Sequence, residues 1–207
     1  MPDRLRPLWD FDDLGGTETR LREQLAGEAT DEGRAEVLTQ LARVEALRDE
    51  FEACEELLCQ ADELAGDSEL VRVRVDLERG RKLRSSGEGA ASVPLFEAAF
   101  ERACANRLYW LAGDAAHMVA IATPDKMIEW TERGLALADT EPDAAYWAGP
   151  LLNNLGWHQY EARDYEAALA TFEQALEVRK RDPDNPQAIV WAQDAIDEAR
   201  KALGLRS

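Results

Sequence analysis

The chain has 207 residues, of which 45% are hydrophobic and 32% are charged, a balance typical of a globular protein. Its formal net charge of −18 repels the phosphates of nucleic acids and the surfaces of anionic membranes, so neither is expected as its main partner. No apolar run is long enough to cross a membrane, and three cysteines cannot all pair within one chain. A cytoplasmic protein with reduced thiols is therefore predicted.

The chain is predicted to begin with an N-terminal extension, residues 1–30, that contains a short helix around residues 18–26. The apolar residues that precede this helix are Leu8, Trp9, Phe11 and Leu14. They are expected to dock onto the first of the repeats described next and to cover its end.

Small residues recur at fixed spacings through the middle of the chain. Gly156 is followed twelve residues later by Ala168 and seven residues after that by Ala175. Two apolar runs with helical spacing flank a break at Arg163–Asp164, which predicts a helical hairpin. Gly156 and Ala168 are expected to face each other and to let the two helices approach closely.

Three earlier copies of this spacing are present. Their small sites are Ala42, Cys54 and Ala61 in the first copy, Gly80, Ser92 and Ala99 in the second, and Ala116, Met127 and Gly134 in the third. Equivalent positions are offset by 35 to 41 residues, and a period of this length indicates a helical solenoid. The predicted repeats cover approximately 31–66, 67–105, 106–140 and 141–182, and residues 183–207 are predicted to form a C-terminal capping helix.

The fourth copy resembles the tetratricopeptide repeat (TPR) family. The family pattern of Leu-Gly, then Ala-x-x-x-Phe, then Ala is met by Leu155-Gly156, Ala168-x-x-x-Phe172 and Ala175. The second copy is similar to it, whereas the first and third are more degenerate. The resemblance covers roughly residues 31–182 and implies a right-handed α-solenoid of about four TPR-like helical hairpins.

Local signals predict where several helices begin. Asp31 and Ser68 are expected to cap the first helices of copies one and two. Pro94 would interrupt a helix, so the second helix of copy two is expected to begin near Ser92. Residues 186–203 predict an amphipathic helix that covers the apolar face of the last repeat.

No pattern typical of an enzyme, a metal site or a bound cofactor is found in the sequence. His117 and His158 are the only histidines, and neither has a histidine or cysteine three or four residues away. Each is therefore interpreted as a structural or surface residue. The chain is expected to be non-catalytic, with no metal and no cofactor; an enzyme would need a deep pocket of converging carboxylates.

The resemblance implies a concave groove, lined by the first helix of each repeat, that binds a peptide segment of another protein. The groove candidates on that mapping are Arg43, Arg81, Arg84, His117, Asn153, Asn154 and Trp157. Asn154 resembles the asparagine with which some family members hold a ligand backbone, and arginines could grip a carboxylate. Alternatively, Asn154 bonds the neighbouring hairpin and the arginines pair with Glu78 or Asp114, and Trp157 could be buried between helices.

The sequence therefore predicts a non-catalytic protein- or peptide-binding module, an adaptor or scaffold, that acts through its groove. The partner would be another protein or peptide, with an acidic or C-terminal segment favoured by the basic groove residues. A different class of function is also open: a self-associating structural module that forms a homodimer through repeat ends or exposed aromatic residues.

Overall fold

A computed structural model describes residues 3–181 and 186–205. Within these residues every regular element is a helix and no strand occurs, so the predicted all-α class is confirmed. The α helices, numbered α1 to α10 in chain order, are Leu14–Gly27, Asp31–Leu47, Phe51–Leu64, Glu69–Ser85, Gly89–Ala105, Tyr109–Ala122, Met127–Thr140, Ala148–Glu161, Tyr165–Arg179 and Pro186–Ala202. Short 3-10 helices span Arg6–Leu8, Pro124–Lys126 and Pro142–Trp147. The predicted junction between residues 182 and 183 lies outside the described residues.

The chain divides into two compact units, unit 1 up to Ala115 and unit 2 from Ala116 onwards. In unit 1, α2 packs against α3 and α4 packs against α5, and the first helices α2 and α4 of these hairpins also pack side by side. In unit 2, α8 packs against both α7 and α9, and α10 packs against α9. Repeated hairpins of consecutive helices are the architecture of an α-solenoid, as the sequence predicts.

Side-chain oxygens cap several helix starts. Ser68 caps α4 by accepting a hydrogen bond from the backbone N–H of Val71 at 3.3 Å, as predicted. The prediction for Asp31 is wrong, because Asp31 is the first residue of α2 and the cap is Thr30. The extended backbone of Thr30 places its hydroxyl oxygen 3.0 Å from the backbone nitrogen of Gly33, which donates to it.

The prediction that the helix containing Pro94 begins near Ser92 is also wrong. Helix α5 begins at Gly89, so Pro94 lies inside it. The preceding turn sets this early start: Gly87 has a φ of 91°, and the backbone N–H of Glu88 donates to the carbonyl of Leu83 at 2.8 Å. The turn therefore closes within a few residues of the end of α4, and α5 accommodates its proline in the second turn.

Each of two glycines makes room for a phenylalanine ring in the same hairpin. A methyl group at Gly80 would lie less than 3.0 Å from three atoms of the Phe96 ring, and one at Gly156 would meet the Phe172 ring equally closely. The side chain nearest to Gly156 is thus Phe172, and the predicted contact of Gly156 with Ala168 stays a prediction. The small residue accommodates a large side chain sixteen residues later, and in the first hairpin Ala42 and Leu58 hold these two positions within one buried cluster.

Three hairpin turns share one backbone feature. Asp49, Gly87 and Arg163 have φ values of 63°, 91° and 64°, in the left-handed region. Each lies seven residues after the small residue of its hairpin, namely Ala42, Gly80 and Gly156. The equivalent position in the third hairpin is Thr123, which instead precedes the 3-10 helix Pro124–Lys126. Turn geometry thus repeats in register with the packing of the small residues.

Both ends of the described chain are covered by apolar contacts. Leu5 and Leu21 are buried in a cluster with α2 and α4, against which Leu8, Trp9 and Leu14 pack, so the predicted docking of the N-terminal extension is present. Phe11 differs, because it is 48% exposed. At the other end, α10 buries Ala195, Ile196 and Ala199 against Ala168 and Phe172 of α9, as expected of a capping helix.

Candidate functional site

The groove candidates are divided between the two units, and each unit is described by itself. Arg43, Arg81 and Arg84 belong to unit 1. His117, Asn153, Asn154 and Trp157 belong to unit 2.

Arg81 is held by two carboxylates of unit 1. Its guanidinium donates to Glu78 at 2.6 Å and to Asp114 at 2.5 Å, and the Arg81 side chain is only 12% exposed. Burial opposes the charge on Arg81, but Asp114 and Glu78 outweigh it and raise the pKa of the guanidinium above its ordinary value. The side chain is thus engaged within the unit, whereas Arg84 at the end of α4 is exposed.

Arg43 is covered by two aromatic rings of the N-terminal segment. Its guanidinium carbon lies 5.3 Å from the centre of the Trp9 ring and 5.4 Å from that of Phe11, distances typical of cation–π contacts. The two rings stack with their centres 4.9 Å apart. The Trp9 indole N–H also donates to the side-chain oxygen of Gln40 at 2.9 Å. Burial, with the nearby charge of Arg81, lowers the pKa of Arg43 from its ordinary value.

The same N-terminal segment forms an ion-pair network with α2 and α4. Arg74 of α4 donates to both carboxylate oxygens of Asp3, at 2.6 and 3.1 Å. Arg74 also lies 3.3 Å from Glu36 of α2, to which Arg4 donates at 3.0 Å. Residues 36, 40 and 43 share one face of α2 because they are spaced by four and three positions. The sequence did not predict that the chain itself covers this face.

In unit 2, Asn154 contacts a neighbouring hairpin. Its side-chain nitrogen lies 2.8 Å from Nε2 of His117 on α6 and donates to it. The His117 ring also packs near Trp147, with ring centres 5.5 Å apart. Asn154 therefore makes the structural contact that was one of its two predicted roles, while its amide oxygen can still accept a hydrogen bond.

A cavity of about 480 Å³ opens between α8, α9 and α10, and it includes three of the predicted candidates. Asn153, Asn154 and Trp157 line it from α8, and Arg179 lines it from α9. Its remaining lining residues are Pro150, Ala175, Ala188, Trp191, Ala192, Asp194, Ala195 and Glu198. The Trp157 ring packs against Phe172, with centres 5.1 Å apart, so it is held in place while it lines the cavity. We call this space the α8–α10 cavity.

Sequence reasoning missed four polar or aromatic side chains of this cavity: Arg179, Trp191, Asp194 and Glu198. It considered only the first helix of each repeat, whereas these residues come from the second helix and from the capping helix. The spacing of Trp191, Asp194 and Glu198 along α10, by three and four residues, could have placed them on one face. Trp191 is 60% exposed, which is high for so large a side chain.

A second cavity, of about 620 Å³, lies between α7, the Pro142–Trp147 helix, α8 and α9. It is lined mainly by apolar side chains, including Leu135, Leu152 and Val178. Arg179 lines it as well, with its guanidinium carbon 5.7 Å from the centre of the Tyr146 ring. A methyl group at Gly149 would clash with Arg179, so the glycine makes room for the arginine between the two cavities.

Three further findings concern the described residues. Among residues 3–181 and 186–205, no group of histidine, cysteine or carboxylate side chains is arranged to hold a metal ion, and no helix could span a membrane. Burial, aided by the charge of Glu78, raises the pKa of Cys54 to about 12, so this thiol stays protonated at neutral pH.

Comparisons with known proteins support the helical fold but do not assign the chain to a family. No protein-family model matches the sequence, and no curated protein matches it. Among solved structures, the fold is similar to the crystal structure of BtubC (BKLC) from P. vanneervenii, with a TM-score of 0.64 and 16% sequence identity. The similarity covers 98% of this chain and 85% of that chain. At this level of identity the likeness concerns the helical fold alone.

Proposed function

We propose that this chain is a TPR-like, non-catalytic module that binds a peptide segment of another protein in the α8–α10 cavity. The observation that carries the proposal is the composition of this cavity, which combines two side-chain amides, two tryptophans and one arginine between packed helices. The TPR assignment is supported by the register of three hairpins. In each of them a small residue is followed by the left-handed turn seven residues later and by a bulky apolar residue sixteen residues later.

Five of the lining residues have a chemical role in this proposal. The amides of Asn153 and Asn154 hydrogen-bond the backbone of an extended segment, because an amide offers both a donor and an acceptor. Trp157 and Trp191 contact apolar side chains of the ligand, and tryptophan is enriched among residues that dominate binding energy. Arg179 pairs with a carboxylate of the ligand. The proposed ligand is thus a segment with one acidic or C-terminal carboxylate for Arg179 and at least one apolar side chain. Asp194 and Glu198 also line the cavity and disfavour further acidic residues in the ligand.

Selection from a displayed random-peptide library tests the proposal. The wild-type chain is expected to enrich a sequence family that binds Trp191→Ala about 30-fold more weakly and Asn153→Ala about tenfold more weakly, since these changes remove contacts of about 2 and 1.4 kcal/mol. Gln193→Ala, on the exposed face of the same helix, is the matched control and should bind as wild type does. Failure to enrich any sequence, or equal binding by all variants, contradicts the proposal.

A homodimer is a second candidate because α10 and the residues after it expose apolar side chains. Val190, Trp191 and Leu205 are 49%, 60% and 53% exposed. Val190 and Leu205 do not line the α8–α10 cavity, so Val190→Lys separates self-association from peptide binding. Light scattering should show a mass that doubles with concentration for wild type but not for the variant; a constant monomer mass contradicts this candidate.

A cytoplasmic location remains a prediction.

A further inference from the structure

Residues 3–11 lie across unit 1 in the manner of a bound peptide. Apart from the 3-10 helix Arg6–Leu8, the segment has no regular secondary structure, and helix α1 begins only at Leu14. Its contacts with α2 and α4 are made by individual side chains, including Asp3 on Arg74, Leu5 in the apolar cluster, and Trp9 on Gln40 and Arg43. Its backbone is hydrogen-bonded to α1, since Arg20 donates to the carbonyl of Leu8 and the Thr17 hydroxyl accepts from the N–H and donates to the carbonyl of Asp10. The contacts span the surfaces of α2 and α4, the first helices of two adjacent hairpins.

The receiving face has the features of a recognition surface. Arg74 meets the Asp3 carboxylate with two hydrogen bonds, a forked geometry that is specific for planar acids. Leu5 is 1% exposed and therefore fills an apolar pocket. Gln40 accepts from the indole N–H of Trp9 while Arg43 stacks on its ring, so an aromatic residue with a donor is favoured at that end.

Release of the segment would not leave an isolated charge on α4. Arg74 also lies 3.3 Å from Glu36, which is itself buried on α2. This second carboxylate stays with the folded helices when Asp3 departs. Desolvation therefore penalises the open state less than the loss of a sole partner would.

We propose that this face of unit 1 is a second peptide-binding site, which residues 3–11 occupy in cis. The segment that fits it carries an acidic residue, a leucine two positions later and a tryptophan four positions after that, as Asp3, Leu5 and Trp9 do. A partner protein with this acidic–apolar–aromatic pattern displaces the chain's own segment. The inference concerns unit 1 and does not depend on the α8–α10 cavity.

The tether explains why the face is normally covered. Only residues 12 and 13 separate the segment from α1, which packs on α2. A short tether holds its ligand at an effective concentration of roughly millimolar. A free partner segment therefore binds weakly to the wild-type chain and tightly once the resident segment is weakened.

A fluorescein-labelled peptide with the sequence of residues 3–13 is the probe, and anisotropy measures its binding to the full chain. The double variant Asp3→Asn/Trp9→Ala, which weakens the resident segment, is expected to bind the probe at least tenfold more tightly than wild type does. Adding Arg74→Gln to this variant should weaken binding at least tenfold. Adding Arg72→Gln instead is the matched control on the same helix and should leave the dissociation constant unchanged.

Two results would overturn the inference. One is equal binding of the probe by wild type and by the double variant, which would place the probe elsewhere. The other is no binding by a double variant whose circular dichroism matches wild type, which would make residues 3–11 a fixed part of the fold. If the double variant does not fold, a protease site inserted between Asp12 and Asp13 provides a second test. After cleavage, the probe should exchange with the released segment. Retention of the native segment after cleavage would contradict the proposal.

Discussion

Replacing Gly80 by alanine should destabilise the protein even though alanine is the better helix former. A methyl group there would lie less than 3.0 Å from the Phe96 ring, which is fully buried and cannot move aside freely. Overpacking of this kind costs about 1–3 kcal/mol. The gain in helix propensity offsets about 1 kcal/mol, so Gly80→Ala should lower the free energy of unfolding by up to about 2 kcal/mol.

The first hairpin indicates which second change should rescue this variant. Ala42 and Leu58 occupy the equivalent positions there, and both are buried. Phe96→Leu alone should lose about 2 kcal/mol through reduced apolar burial. In Gly80→Ala/Phe96→Leu the methyl group no longer meets a ring, so the total loss should be about 1 to 2 kcal/mol rather than the sum of about 4.

Urea unfolding followed by circular dichroism measures these free energies, with m values compared among variants to check that the transition is unchanged. Gly89→Ala is the control in the same hairpin, because nothing lies within 4 Å of a methyl group at that position. If Gly80→Ala is as stable as Gly89→Ala, or if the double variant loses the full sum, the proposed pairing of small and large residues is refuted.

Four further outcomes follow from individual side chains. Arg81→Met should lower the free energy of unfolding by about 3 kcal/mol, because it leaves two buried carboxylates facing each other; a loss below about 1 kcal/mol in urea unfolding would contradict this. Burial opposes ionisation of Asp3, but its arginine partner holds its pKa below the ordinary value. Its stabilisation is therefore present above about pH 4 and is lost as the pH falls through the folded-state pKa. Acid titration should show a smaller loss of stability for Asp3→Asn than for wild type, because other paired carboxylates such as Glu55 and Glu69 still titrate, and an equal loss would contradict this. Iodoacetamide at pH 8 should modify the exposed Cys59 but not the buried Cys54. Mass spectrometry of the digested protein measures both, and modification of Cys54 in the folded protein would refute its burial. Arg163→Gly should raise the melting temperature by a few degrees because it relieves a left-handed backbone, and a lower melting temperature would count against that strain.

Local spacing was enough to predict the hairpins, because the packing of each hairpin repeats within a short stretch of chain. Gly80 and Gly156 were identified as close-contact sites from their spacing alone. The side chains nearest to them, Phe96 and Phe172, were not assigned, because only the small residue twelve positions later was considered. A period shows that positions are equivalent, whereas the identity of the contact depends on side-chain volume.

The candidate sites could be predicted only in part, because their contacts join distant residues. Asn153, Asn154 and Trp157 follow from the repeat register, and they share the α8–α10 cavity. Arg179 escaped prediction because it lies on the second helix of its repeat, and Trp191 did so because the docking angle of α10 is not encoded in any repeat. The pairing of Asp3 with Arg74 spans 71 residues and has no local signal.

That long separation has a consequence for how the chain emerges during synthesis. The hairpins close over short distances along the chain and can form as soon as each is complete. Asp3, by contrast, meets no arginine partner on α4 until Arg74 has left the ribosome. This segment, which is made before the hairpins, therefore completes its docking only after the first hairpin and part of α4 have been made, and until then its apolar residues are open to chaperones.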